Sequence, residues 1–166
     1  MNNELYHHGV KGQKWGIRRY QNKDGSLTEL GKKRQAKELN KLNKISRLII
    51  WNDANRRRAG NEAALYESYA NRATNSDEKM YYDGRVRALD SVYTSSAKEV
   101  VYQLKKYKKL EDKLMKKYGN MTVDEMIKSN NGATDTVDIQ GVKWPNARER
   151  VYAIKDRYAD SPYKNN

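Results

Sequence analysis

The chain contains no cysteine, no phenylalanine and only two prolines among its 166 residues. The absence of cysteine excludes a disulfide scaffold and every thiolate metal site, and it fits synthesis in a reducing cytoplasm. Hydrophobic residues make up only 37% of the chain and charged residues 33%, whereas 13 residues are Tyr. The interior must therefore be thin and partly built from Tyr, which favours elongated helices over a rounded globule.

Long hydrophobic runs are also absent from the sequence. No stretch approaches the ~20 apolar residues that a membrane-spanning helix needs, and no signal peptide is predicted. We expect no membrane partner and an intracellular protein, unless a larger particle carries it out of the cell. The length predicts one domain, or a small domain with a tail.

Charge is plentiful and mostly of one sign, with a formal net charge of +13. Residues 32–58 carry ten Lys or Arg against two acids, an excess of +8, and residues 101–118 carry seven Lys against two acids, an excess of +5. Residues 60–98 sum to −1 and residues 119–166 to zero. The positive charge is therefore concentrated in two blocks.

The first basic block lies in a predicted long helix. Asp24 and Gly25 indicate a turn, and Ser26 or Thr28 can cap the helix that follows. Apolar residues then recur at alternating three and four positions, the pattern of a helix packed along its length on another helix. The stripe consists of Leu42, Ile45, Ile49, Asn52, Arg56, Ala59, Ala63, Tyr66, Ala70 and Ala73. Gly60 costs about 1 kcal/mol relative to Ala, so we expect a bend or split there.

A second long helix is predicted after a short break. Asn75 or Ser76 can cap its start, and Gly119 can take the left-handed conformation that ends it. Its stripe consists of Val86, Leu89, Tyr93, Ser96, Val100, Leu104, Tyr107, Leu110 and Leu114. Two long amphipathic helices with a short connection favour an antiparallel hairpin.

The hairpin predicts where the charge lies. With the turn near residue 75, we expect Lys41 beside Leu110 and Arg58 beside Tyr93. Both basic blocks then lie at one end, the base, opposite a neutral tip. We expect their charges to act as a single patch.

The C-terminal part predicts smaller elements. Thr122 and Glu125 have the spacing of a capping box, which predicts a short third helix. Residues 133–143 are expected to be extended, and a last helix is predicted at about 147–159. The predicted fold is mainly α: an irregular leader at 1–27, a long antiparallel helical hairpin at 28–119 and a small C-terminal helical segment at 120–166.

The leader has the composition of a recognition peptide. Gly9, Gly12 and Gly16 break any regular period, and the aromatic and basic side chains around them are typical interface anchors. This composition predicts either a docking element or a flexible leader that folds back on its own domain. The candidate docking residues are Tyr6, His7, His8, Lys11, Lys14, Trp15, Arg18, Arg19 and Tyr20.

The segment His7–Arg34 follows the pattern His-His-Gly-Val-Lys-Gly-x-Lys-Trp-Gly-x-Arg-Arg-Tyr-Gln-Asn-x-Asp-Gly-x-Leu-Thr-x-x-Gly-Lys-Lys-Arg almost without a gap. It closely resembles a short module that recurs in virion-associated and head-region proteins of tailed phages and prophages of Gram-positive bacteria. The resemblance covers about the first fifth of the chain. It implies a phage context, and with it a location in the virion or in the host cytoplasm.

Residues for catalysis or metal binding are scarce. His7 and His8 are the only histidines, and adjacent side chains of an extended segment point to opposite sides. A zinc site needs three or four ligands, so we predict no metal and favour a packing or interface role. No nucleophile motif is recognisable, and Trp15 follows Lys14 where a phosphate-binding loop needs Ser or Thr. We predict no cofactor and no enzymatic activity.

The basic blocks predict contact with a polyanion. Their lysines and arginines could neutralise phosphates without sequence preference, in a strongly salt-dependent manner. The alternatives are a solvated helix face and an acidic protein partner. The candidate nucleic-acid-binding residues are Lys32, Lys33, Arg34, Arg56, Arg57, Arg58, Lys105, Lys106, Lys108 and Lys109.

Three functions fit these features. The first is a non-enzymatic virion-associated protein whose leader docks on a phage structural component and whose base faces DNA or an acidic partner. The second is a phage-encoded inhibitor of a host defence nuclease or ribonucleoprotein, similar in role to an anti-CRISPR protein. The third is an accessory protein that binds DNA or RNA generally. The apolar helix faces also leave room for a homo-oligomer.

Overall fold

A computed structural model of the chain describes residues 20–22, 24–119, 121–130 and 133–165. The elements, in chain order, are helix α1 (Glu29–Ala70), helix α2 (Ser76–Lys117), helix α3 (Val123–Lys128), strand β1 (Val137–Ile139), strand β2 (Val142–Trp144), helix α4 (Ala147–Arg157) and a 3-10 turn (Pro162–Asn165). The fold is mainly α, with two long helices packed together and a smaller C-terminal helical segment, as predicted.

Helices α1 and α2 form the hairpin. Each has 42 residues, which gives a length of about 63 Å. The Thr28 hydroxyl accepts a hydrogen bond from the Gly31 amide at the start of α1. The Asn75 side chain accepts one from the Glu78 amide at the start of α2. Both caps are among those that the sequence predicted, and the short connection between the helices keeps them antiparallel.

Gly60 does not bend or split α1, which corrects the expectation from its helix propensity. The helix is continuous from Glu29 to Ala70. A Cβ atom at position 60 would lie 3.2 Å from the Tyr93 ring of α2. The missing side chain therefore makes room for an aromatic ring between the two helices, and this packing offsets the intrinsic cost of glycine.

The pairing of the two helices is close to the predicted register. The Tyr93 ring packs on Gly60, and its hydroxyl accepts a hydrogen bond of 2.8 Å from Arg56 Nη1. Near the start of α1, Glu38 accepts a hydrogen bond of 2.7 Å from the Tyr118 hydroxyl and forms an ion pair with Lys117. The first part of α1 therefore lies beside the last part of α2.

The core lies at the base of the hairpin. In α2, all of which is described, burial begins at Ser96 and ends at Leu114. The same apolar cluster includes residues from both long helices and from the C-terminal segment: Leu39, Leu42, Ile49, Val100, Tyr107, Leu114, Val123, Met126, Val137, Ala147, Val151 and Ile154. The C-terminal segment is thus packed on the base, while the tip consists of two helices alone.

Side-chain hydrogen bonds attach the C-terminal segment to the hairpin and cap the helices of that segment. Thr122 and Glu125 form the predicted capping box of α3. Asn130 Nδ2 donates to the Lys32 carbonyl at 2.8 Å, which ties the end of α3 to the first turn of α1. Asp135 caps the start of α4, because its carboxylate accepts a hydrogen bond of 3.1 Å from the Arg148 amide. These contacts build the C-terminal segment into the base.

Residues 20–22 and 24–28 lie against the start of α1 and are here called the N-terminal turn. Gln21 and Leu27 form an antiparallel bridge, and the Thr28 amide donates to the Tyr20 carbonyl at 3.1 Å. A Cβ atom at position 31 would lie 2.2 Å from that carbonyl oxygen. Gly31 is therefore needed for the close approach of the turn to the helix.

Candidate nucleic-acid interface

Most of the predicted docking residues lie outside the described part of the chain: Tyr6, His7, His8, Lys11, Lys14, Trp15, Arg18 and Arg19. Tyr20 is described and is half-buried. The Arg34 guanidinium lies 4.8 Å from the centre of the Tyr20 ring, and the Tyr20 backbone packs on Gly31. The last residues of the segment His7–Arg34 therefore belong to the base of the hairpin.

Lys32, Lys33 and Arg34 lie in the first turns of α1, and all three are exposed. Lys32 pairs with Glu29 at 3.2 Å, and Arg34 lies 3.8 Å from Glu38. Within the described residues Lys33 has no ion-pair partner. Exposed pairs of this kind contribute only ~0–1 kcal/mol, so an anionic partner could displace them at little cost.

Arg56, Arg57 and Arg58 each have an acidic partner as well. Asp53, which is 2% exposed, lies 3.7 Å from Arg56 and 3.5 Å from Arg57. It also forms an ion pair of 2.6 Å with Arg157 of α4. Arg58 pairs with Glu62 at 2.7 Å. Arg57 and Arg58 are exposed and pair within their own helix, whereas Arg56 also contacts Tyr158, next to α4.

Arg56 is the most enclosed of the three. Its guanidinium lies between two rings, 5.2 Å from the centre of Tyr93 and 5.3 Å from that of Tyr158. Burial, the nearby Asp53 carboxylate and the Tyr93 ring raise the pKa of Tyr158 to about 12, and Arg56 and Arg157 oppose this shift. The cluster joins α1, α2 and α4, which makes it a structural contact between the hairpin and the C-terminal segment.

The lysines of α2 have a different setting, because they are exposed along one side of the helix. Lys105 and Lys109 repeat at the helical spacing of four residues, and Lys98, Lys113 and Lys116 continue the same side. Lys106 lies next to this row, with its amine 4.2 Å from the centre of the Tyr102 ring. We call this set the lysine face: Lys98, Tyr102, Lys105, Lys106, Lys109, Lys113 and Lys116.

Lys108 lies beside the lysine face and pairs with Asp112 at 3.2 Å. Both side chains are about half exposed, so this pair also contributes little. All four lysines predicted in α2 are thus accessible. The sequence prediction did not include Lys98, Tyr102, Lys113 or Lys116, although their spacing along one helix could have identified them.

The two predicted sets in mid-helix do not lie at the same height of the hairpin. Arg56 contacts Tyr93, and Lys105 is twelve residues beyond Tyr93 in α2, which corresponds to about 18 Å. Electrostatic interactions at 0.1 M salt are screened over about 10 Å. The start of α1 is better placed, because Glu38 contacts Lys117. The structure therefore favours a patch formed by the lysine face and the first turns of α1.

A narrow cleft between α2 and α4 borders the lysine face, and we call it the α2–α4 cleft. Its volume is about 290 Å³. Apolar and aromatic side chains line it: Val101, Leu104, Tyr107, Val151, Tyr152 and Tyr158. Lys105, Lys108 and Lys155 stand at its rim, together with Glu111 and Asp156. Lys105 thus belongs both to the cleft and to the lysine face.

Tyr152 is held at the mouth of this cleft. Its ring packs edge-on against Tyr107, with 6.4 Å between the ring centres, and its hydroxyl donates a hydrogen bond to Glu111. Burial, reinforced by this bond to Glu111, raises the pKa of Tyr152. Glu111 is therefore engaged within the protein, and Tyr152 stays neutral at physiological pH.

The described part of the chain contains no group of three or more His, Asp or Glu side chains arranged to hold a metal ion. Nor is any described helix long and apolar enough to cross a membrane. His7 and His8 lie outside these residues.

No protein-family model, curated protein or solved structure matches this chain.

Proposed function

We propose that this protein is a non-enzymatic, virion-associated protein of a tailed phage that binds nucleic acid through the base of its hairpin. The lysine face is the observation that carries the binding proposal. It supplies exposed lysines along one side of α2, and they outnumber the acidic side chains beside them, which include Glu111 and Asp112. The phage context is supported by the module at His7–Arg34, which resembles that of phage head-region proteins.

The charge distribution supports binding without sequence preference. The lysines can contact phosphates, which are the same for every sequence, and they displace condensed counterions when they do so. Helix α2 exposes long, flexible lysine side chains at the base of the hairpin. Such a surface suits a protein that coats or contacts nucleic acid at many places.

The proposal is tested by binding of the purified full chain to a mixed-sequence 20-nucleotide DNA, single-stranded and duplex, between 25 and 200 mM salt. Fluorescence anisotropy gives the affinity at each salt concentration. We expect a steep loss of affinity with salt, and the variant K105A/K106A/K109A should lower the salt slope by about three, one unit for each phosphate contact. Circular dichroism checks that the variant remains folded.

The matched control removes three exposed charges at the tip, in the variant R72A/K79A/R87A. It changes the net charge equally but leaves the lysine face intact, so the salt slope should stay near that of the native protein. Equal losses from both variants would show that only the overall charge matters. No binding to either DNA at low salt would overturn the proposed function.

The docking part of the proposal concerns the module. Deleting residues 1–19 should leave the thermal unfolding temperature nearly unchanged and abolish incorporation into phage particles. Deleting residues 1–25 should in addition lower the unfolding temperature, because it removes the Tyr20 contacts with Gly31 and Arg34. Normal incorporation of the shorter deletion would exclude a docking role for the module.

A further inference from the structure

The lysine face carries an exposed aromatic ring, and the cleft beside it is lined by three more. Tyr102 is 52% exposed in the middle of the lysines, and Tyr152 is 37% exposed at the mouth of the α2–α4 cleft. Bases stack on such rings while the lysines follow the phosphates.

We propose that the base binds single-stranded nucleic acid, with one unstacked base in the α2–α4 cleft and another stacked on Tyr102. This inference rests on the proposed function and adds the form of nucleic acid that is recognised. In a duplex the bases are paired and stacked on one another, so they can neither enter the cleft nor stack on Tyr102. Single strands present them freely.

The size of the cleft limits what it can hold. Its volume of about 290 Å³ is at the lower end of the ~300–1,000 Å³ that small-molecule pockets occupy. It can therefore accept one planar group but no larger ligand. The apolar walls favour a ring, and Lys105, Lys108 and Lys155 are the cationic side chains of the cleft that can contact the phosphate attached to that ring, beside Glu111 and Asp156.

The lysine face provides the path for the strand beyond the cleft. From Lys105, exposed lysines continue to Lys109, Lys113 and Lys116 in one direction and to Lys98 in the other. Lys98 and Lys116 are separated by about 27 Å along the helix axis. An acidic peptide could use the same charges, but its short carboxylates would not need the exposed ring of Tyr102.

The test compares single-stranded 20-mers of deoxythymidine and of uridine with a 20-base-pair duplex at one salt concentration. The full chain should bind both single strands at least tenfold more tightly than the duplex. Y102A should weaken single-strand binding about tenfold, within the range for loss of one stacked base, and should change duplex binding less than twofold.

Two variants test the cleft without disturbing the lysines. A159W places a bulky ring at the rim of the cleft and should weaken single-strand binding by a similar factor. Y152F keeps the ring and loses only the bond to Glu111, so it should bind like the native protein, whereas Y152A should not. Thermal unfolding identifies any variant that fails to fold, and Y102A remains decisive because Tyr102 lies on the outer surface.

The outcomes separate this inference from the proposed function. Equal binding of single strands and duplex, with no effect of Y102A, would overturn the inference and leave salt-dependent nucleic-acid binding in place. Absence of binding to any oligonucleotide would overturn both. Binding of poly-glutamate in preference to every oligonucleotide would also overturn the inference and identify an acidic protein as the partner.

Discussion

The tip and the base of the hairpin hold the same two helices together in different ways. At the tip, Tyr66, Tyr69 and Tyr82 pack ring against ring, with centres 5.5 to 6.3 Å apart. The tip also exposes large apolar side chains, including Met80 at 66% and Tyr81 at 61%. At the base, aliphatic side chains are buried beneath the C-terminal segment. The core is therefore concentrated at one end of an elongated molecule.

The charges of the two ends differ as well. The tip is close to neutral, and its arginines contact rings or lie exposed, as Arg85 does at 5.2 Å from the Tyr66 ring centre. The base carries the lysine face. The C-terminal segment stabilises the end that bears the repelling charges, so a cationic surface can be displayed on a rigid support.

The largest difference between the two ends should appear when an aliphatic side chain is truncated. Ile49 is 0% exposed at the base, whereas Leu65 is 49% exposed at the tip. I49A should lower the free energy of unfolding by about 3 kcal/mol, because it creates a cavity in the core. L65A should cost less than about 1 kcal/mol. Urea denaturation measures both, and equal losses would contradict the assignment of the core to the base.

The ion pairs of the buried Asp53 carboxylate provide the next test. D53N leaves Arg56 and Arg157 without their anionic partner and should lower the free energy of unfolding by about 3 kcal/mol. The matched variant E62Q removes the exposed partner of Arg58 and should cost less than about 0.5 kcal/mol. Denaturant titrations at pH 7 compare the two. A loss below 1 kcal/mol for D53N would mean that the Asp53 cluster does not hold α4 on the hairpin.

Alkaline pH should also lower the stability of the folded protein through Tyr158, at the base of the hairpin. Because Tyr158 has a pKa of about 12 in the folded protein and about 10 when unfolded, the unfolded chain releases its proton first. The contribution of Tyr158 to stability is full below pH 10 and is lost as the pH rises towards 12, by at most about 1.4 kcal/mol per pH unit.

Y158F should therefore make the decline in stability between pH 10 and pH 12 shallower than in the native protein. Y81F, which changes an exposed tyrosine at the tip, should leave the curve unchanged. Thermal unfolding across this pH range gives the comparison. Identical curves for the native protein and Y158F would show that the Tyr158 hydroxyl titrates normally.

The smallest effects come from two helical glycines, one at each end. No atom lies within 4 Å of a Cβ built at Gly84, so G84A should stabilise the protein by up to about 1 kcal/mol through helix propensity. G31A places its Cβ against the Tyr20 carbonyl and should destabilise it. Melting temperatures of both variants should move in opposite directions. A gain from G31A would show that the N-terminal turn does not pack on α1.

The sequence predicted the hairpin well because its determinants are local. The stripe spacing, the Asn75 cap and the Thr122–Glu125 capping box are each set by residues within a turn or two of one another. Gly60 was the exception, since its propensity pointed to a bend, and the decisive contact came from Tyr93, which is 33 residues away in the chain. Propensity cannot anticipate packing across helices.

The candidate site was harder to predict, because charge alone does not indicate exposure. Arg56 and Lys106 both lie in basic runs, yet Arg56 packs between Tyr93 and Tyr158 while Lys106 lies on the surface over Tyr102. Arg56 differs from Lys106 because it lies beside the buried Asp53, and nothing in the sequence around Asp53 indicates that this residue is buried. The α2–α4 cleft could not be predicted, since it depends on how α4 packs against α2.

Lysine footprinting tests directly whether the lysine face binds the single strand. The full chain is acetylated with limiting reagent, with and without a single-stranded 20-mer, and the modification of each lysine is measured by mass spectrometry. We expect strong protection of Lys98, Lys105, Lys109 and Lys113, and unchanged modification of Lys79 at the tip. Protection at the tip, or equal protection of every lysine, would contradict the assignment of binding to the lysine face.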